Sequence, residues 1–150
     1  SADSPFIDYN IVDRCISKFK ESDLDYLSNT INMVNGKWEQ NYNGFPLGFA
    51  VEVFTFYALR RAWCEGKEPS DREHVTEYIF HNPQIFKLGC VTNPVSVSDM
   101  RLVVDYYEDY ELVKKIIENF PDDKLFTLEK LVLFLNNHPE IRKINANIRK

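Results

Sequence analysis

Two short acidic motifs carry the clearest chemistry in this sequence, ADSP at residues 2–5 and MRLVVDYYEDYELV at residues 100–113. Each places an aspartate, Asp3 and Asp105, where an apolar or small-residue run gives way to a turn or a helix. Two carboxylates at the carboxyl ends of neighbouring strands suit Mg²⁺, which takes hard oxygen ligands and leaves positions open for phosphate. Both residues have a structural reading as well. Asp-Tyr-Tyr-Glu is a capping pattern, with Glu108 placed to bond back to the cap's amide, so Asp105 could simply open a helix. One carboxylate oxygen can cap while the other faces a metal. Asp3 could be a turn residue before Pro5.

Glu52 stands inside the β-rich run FAVEVFTF. Alternation puts Ala50, Glu52 and Phe54 on one face and Val51 and Val53 on the other, so this carboxylate shares its face with apolar neighbours. It either points to solvent or lines a polar site. His74 lies beside Arg72 in the first turn of an expected helix, where a lone histidine is more often a surface or packing residue than a catalyst. His81 and His138 precede Asn82-Pro83 and Pro139 and read as helix-end residues. No zinc spacing, nucleophile elbow or phosphate loop of the GxxxxGK type is present.

The elements that must position these groups alternate along the chain. Asp8 precedes an amphipathic run, Val12, Cys15, Ile16 and Phe19, that predicts a helix to about Lys20. Residues 24–28 read as a strand, and residues 29–48, with three glycines, Pro46 and several asparagines, as a loop or arm. After FAVEVFTF comes a helix over residues 57–65 ending at Gly66. Ser70-Asp71-Arg72-Glu73 has the form of a capping box opening a helix through Val75, Tyr78 and Ile79. Residues 85–92 and 101–104 read as strands. Asp105 then leads a helix with Tyr110, Val113, Ile117 and Phe120 on one face. Thr127 caps a last helix bearing Leu128, Leu131, Val132 and Leu135, followed by a short turn at residues 139–144. The class is α/β, one domain over 150 residues, with an α/β part to residue 120 and a small helical tail over residues 121–150.

Composition narrows the function classes. A hydrophobic content of 44% with 14% aromatics argues for a packed globule. The net charge of −5 gives no electrostatic reason to expect a nucleic-acid partner. The one basic cluster, Arg142, Lys143, Arg149 and Lys150, reads as solvated surface. Cys15, Cys64 and Cys90 show no CxxC spacing and fit a reducing compartment better than a disulfide framework. No stretch has the length and apolarity of a membrane span, and no basic-then-apolar leader opens the sequence. A cytoplasmic location is expected.

Taken in order, ADSPFID, DYLSN, FPLGFAVEVF, DREHVTEYIFHNP and MRLVVDYYEDYELV resemble the bacterial spore-coat-polysaccharide type of sugar cytidylyltransferase, related to the CMP-KDO and CMP-sialic acid synthetases. The resemblance runs over about residues 1–145, and it is the set of motifs together that is specific. It implies the C-terminal part of a nucleotide-diphospho-sugar transferase fold, a mainly parallel sheet flanked by helices. It implies CTP and Mg²⁺: a sugar hydroxyl attacks the α-phosphorus, CMP is transferred and pyrophosphate leaves. Asp3 and Asp105 would be the Mg²⁺ ligands. Asn29, Glu52, Arg72 and His74 would line the acceptor-sugar side, and Arg101 would support the catalytic site. A surface-polysaccharide sugar, of an acidic type in the relatives, and a homodimer joined by an arm at residues 29–48 complete the expectation.

Three departures from the family pattern follow. Its N-terminal half, with the Gly/Arg/Lys-bearing loop that grips the CTP phosphates, has no counterpart here, so the 150 residues are not expected to turn over CTP alone and should associate through an exposed sheet edge. Ala50 stands where the family has an acidic residue, and Ser4 replaces its usual cysteine. The other readings are a non-catalytic remnant that binds a sugar or a partner protein, and a transferase with another nucleotide or a polyol phosphate acceptor.

Overall fold

The computed structural model describes residues 2–122 and 125–148. The expected Arg149 and Lys150 of the basic tail lie outside the described residues. Helix α1, Tyr9–Lys20, starts where expected, and the Asp8 carboxylate accepts from the Asn10 amide at 2.8 Å as its cap. Strand β1, Tyr26–Ser28, follows, then β2, Ile31–Val34, and β3, Lys37–Gln40. Strand β4, Glu52–Phe54, leads through the cap Thr55 into α2, Phe56–Glu65. Next come α3, Pro69–Glu73, α4, Glu77–His81, and β5, Leu88–Cys90. The chain finishes with α5, Tyr107–Glu118, α6, Leu128–Asn137, and α7, Pro139–Arg142.

The main sheet has the order β4-β1-β5, with β1 antiparallel to β4 and parallel to β5. It is therefore mixed across these strands. β1 is buried at every position because both its faces are covered, as expected of a central strand between helical layers. Leu27 points into the larger core with Ile11, Cys15, Leu112, Ile116, Leu131 and Leu135, on α1, α5 and α6. Its neighbour Tyr26 points the other way, into a second core with Ala58, Ala62, Ile79 and Phe80 on α2 and α4. The helical tail contributes Leu128, Leu131, Leu135 and Ile141 to the larger core, and the second Asp8 oxygen ties it down by accepting from the Leu128 amide at 2.8 Å.

Several sequence expectations are corrected. Residues 29–48 are not a plain loop: β2 and β3 form an antiparallel hairpin turning at Asn35 and Gly36, whose φ values of 50° and 79° fit the tight turn that Asn-Gly favours. The helix expected from Ser70 breaks into α3 and α4 at His74–Thr76, where the backbone turns extended and the Thr76 hydroxyl reaches Glu52. Residues 101–104 form no strand. They run beside Leu47 with a single parallel bridge at Arg101, and Val103 bends away from it. The buried face of α5 is Asp109, Leu112, Val113 and Ile116, while Tyr110 and Ile117 are half exposed. The helix is rolled by about one residue from the expected face so that Asp109 turns inward.

Candidate active site

Asp3 and Asp105, about two-thirds of the chain apart in sequence, stand on segments that a backbone hydrogen bond joins. The carbonyl of Asp3 accepts from the amide of Val104 at 2.8 Å. On the other flank of this segment, Leu47 donates to Met100 at 3.1 Å and its carbonyl accepts from Leu102 at 2.8 Å. The fit is close: Gly48 has φ +101°, and a Cβ there would stand 2.6 Å from the Leu102 carbonyl oxygen.

Asp105 is not the helix cap. Tyr106 occupies that position, and the side chain that bonds back is Asp109, not Glu108. One Asp109 oxygen, Oδ2, accepts from the amides of Asp105 and Tyr106, each at 3.1 Å. The fully buried Asp109 carboxylate also accepts from Arg101 Nε at 2.9 Å, from Arg101 Nη2 at 2.9 Å and from Asn145 Nδ2 at 2.8 Å. Burial pushes the Asp109 pKa up, but the Arg101, Asn145 and backbone donors together outweigh it and hold the group below its ordinary value. Arg101 in turn reaches Asp105 Oδ2 with Nη2 at 2.5 Å. The hydrogen bonds that Arg101 donates to Asp109 raise its pKa, so this cation is permanent. Arg101 is thus a positioning residue. It orients Asp105, whose side chain remains 48% exposed and whose Oδ1 is left for another partner.

A cleft of about 770 Å³ opens beside these residues. Asp3, Glu52 and His74 all line it, together with Ala50, Tyr42 and Thr76. Glu52 Oε1 accepts from the buried phenol of Tyr26 and from the Thr76 hydroxyl, the latter at 2.8 Å. Burial first, and then the Glu52 charge, raise the Tyr26 pKa, so the phenol stays a neutral donor.

Two expected residues are elsewhere. Asn29 is fully buried, donating to the Phe49 carbonyl at 2.7 Å and accepting from the Val51 amide at 2.8 Å, so its side chain stitches β1 to the approach of β4. Arg72 donates to the Trp63 and Gly66 carbonyls at 2.8 and 2.7 Å and lies over the Trp63 ring, which fastens α3 to the end of α2. The missed residues are Asp109, Tyr26, Thr76 and Asn145. The four-residue spacing Arg101, Asp105, Asp109 was a readable sign of the first.

Among the described residues no cluster of three or more His, Cys, Asp or Glu could hold a metal. Mg²⁺ needs less, because it is commonly held by one or two carboxylates with substrate phosphates and water completing its shell. Asp3 lines the cleft and Asp105 follows two residues after Val103, which also lines it, and a pair of carboxylates is a donor set of that kind.

No family model matches the chain. A cytidylyltransferase from Leptospira borgpetersenii matches in structure with a TM-score of 0.80 and 27% identity, over 99% of this chain and 57% of that one. The chain has a cytidylyltransferase fold. In sequence it is 32% identical to the uncharacterized protein MJ1063 of Methanocaldococcus jannaschii over its whole length, and 26% identical to the spore coat polysaccharide biosynthesis protein SpsF of Bacillus subtilis over 93% of it. The chain spans 57% and 54% of those two relatives, about half their length.

Proposed function

We propose that this chain is the metal- and acceptor-binding part of a sugar cytidylyltransferase, which passes CMP from CTP to a sugar hydroxyl and releases pyrophosphate during surface-polysaccharide synthesis. The reading is supported by the Asp3–Val104 backbone hydrogen bond, which joins the segments bearing the two candidate metal ligands within a cytidylyltransferase fold. Asp3 and Asp105 would hold Mg²⁺, and the ion, when bound, would neutralise charge on the triphosphate. Arg101, fixed by Asp109, keeps Asp105 turned to its task. The cleft holds the acceptor, with Glu52 and His74 on its wall. The free cysteines and the lack, among the described residues, of any helix long and apolar enough to cross a membrane agree with work in the cytoplasm. The partly exposed β2–β3 hairpin, with Met33 half exposed, is the arm we assign to a homodimer.

The test is calorimetric titration of CTP with and without Mg²⁺, on this chain and on a chimera in which it replaces the matched 57% of the Leptospira enzyme. The chimera should bind CTP only with Mg²⁺ and lose that dependence as Asp105→Asn, whereas this chain alone should bind weakly or not at all. Equal Mg²⁺-dependent binding by the folded Asp105→Asn chimera would remove Asp105 from the metal site.

A further inference from the structure

Glu52 reaches the cleft from β4, and two buried hydroxyls decide how its side chain stands there. In the β1–β4 pair Tyr26 sits opposite Phe54, so Glu52 is its diagonal neighbour on the same face, and a diagonal of about 7–8 Å is within reach of a phenol. The Tyr26 hydroxyl donates to Glu52 Oε1. The Thr76 hydroxyl, just past the break between α3 and α4, donates to the same oxygen at 2.8 Å. Tyr26 is 0% and Thr76 7% exposed, whereas Glu52 itself is exposed. Burial and the Glu52 charge keep the phenol protonated, so it stays a donor. Fixing the torsions of a glutamate side chain when a ligand arrives costs affinity. Two buried donors on Oε1 move that cost into folding and leave Oε2 to the ligand. A carboxylate only accepts, so its partner brings a hydroxyl or an N–H. Acidic and neutral sugars both carry hydroxyls, and the role of Glu52 is therefore independent of the net charge of the wall.

We infer that Tyr26 and Thr76 are positioning residues for sugar binding: they fix the Glu52 carboxylate so that Oε2 accepts from a hydroxyl of the acceptor sugar. The inference rests on reading the cleft as the acceptor site.

The experiment is an NMR titration of the ¹⁵N-labelled chain near neutral pH with KDO and with N-acetylneuraminate, the sugars of the related synthetases. At least one of them should shift the amides of Thr30 and of residues 74–77, which line the cleft with Glu52. Glu52→Gln keeps an oxygen for both hydroxyls but loses the second acceptor, and should weaken that binding by about tenfold. Tyr26→Phe and Thr76→Val each remove one anchor and should weaken it by about fivefold. Thr76→Ser restores the hydroxyl and should recover the native affinity. In the Glu52→Gln background, Tyr26→Phe should change the affinity by less than about twofold, since no carboxylate is left to aim. A merely structural Tyr26 would lower the affinity by the same factor in both backgrounds, and that result would overturn the positioning role. Native affinity in Thr76→Val, or no recovery in Thr76→Ser, would do the same. Binding that Glu52→Gln leaves unchanged would remove the contact with Oε2 while the acceptor site stands. Binding of neither sugar, or shifts only outside the cleft, would overturn the acceptor reading and this inference with it.

Discussion

Asp109→Ala should destabilise the protein by about 3–5 kcal/mol, although Asp109 lies outside the cleft and touches no proposed ligand. The magnitude follows from what the side chain satisfies. Removing it leaves the Arg101 guanidinium, with its side chain only 8% exposed, facing Asp105 alone. It also strips the Asp105 and Tyr106 backbone amides of their acceptor and takes one of two from the Asn145 amide, which keeps the Arg101 carbonyl. Against a total stability of about 5–15 kcal/mol this is a large share, and the melting temperature should fall by roughly 10 °C. Urea denaturation followed by circular dichroism measures it directly. Asp109→Asn keeps the shape and isolates the charge. Its gap to the native chain should shrink with acid: the folded pKa of Asp109 is depressed, so its contribution is complete above the unfolded value of about 4 and is lost as pH falls through the folded one. The double variant Arg101→Met with Asp109→Leu should lose less than Asp109→Ala, because no unpaired charge then stays buried. A cost below about 1 kcal/mol for Asp109→Ala, or a double variant worse than the sum of the singles, would refute the reasoning.

Asp105→Asn should cost less than about 1 kcal/mol by thermal melting, since its carboxylate is half exposed and the helix is capped by Asp109; a larger loss would make Asp105 structural. Gly48→Ala should destabilise by more than about 2 kcal/mol in the same assay, because both the positive φ and the Leu102 carbonyl oppose a Cβ. Asp8→Ala should cost about 2 kcal/mol, from the lost cap of α1 and the orphaned Leu128 amide, and hydrogen exchange at Leu128 should accelerate with it.

What the sequence revealed was whatever short-range physics decides. Asp8 and Thr127 are caps because their side chains reach amides two and three residues on, and both are recognisable from the apolar periodicity that follows them. Asn35-Gly36 is legible on the same terms, a dipeptide whose positive φ values suit a tight hairpin turn. The face of α5 was not legible. Leu112 and Ile116 compete with Tyr110 and Ile117 for the interior beside Val113, and the observed roll is the one that buries Asp109 against Arg101, a residue outside the helix.

The same holds for the cleft. Glu52 could be picked out because alternation set a carboxylate among apolar neighbours, and Phe54 and Tyr26 do share its face. Its meaning depends on Tyr26 across the β1–β4 pair and on Thr76 from the break between α3 and α4. The helix breaks at His74, whose backbone is extended, and just beyond the break the Thr76 hydroxyl reaches Glu52 on the cleft wall. Asn29 and Arg72 show the converse. Polar side chains beside a cleft are as readily consumed by backbone groups that have no strand or helix partner, and only the fold shows which of them remain for a ligand.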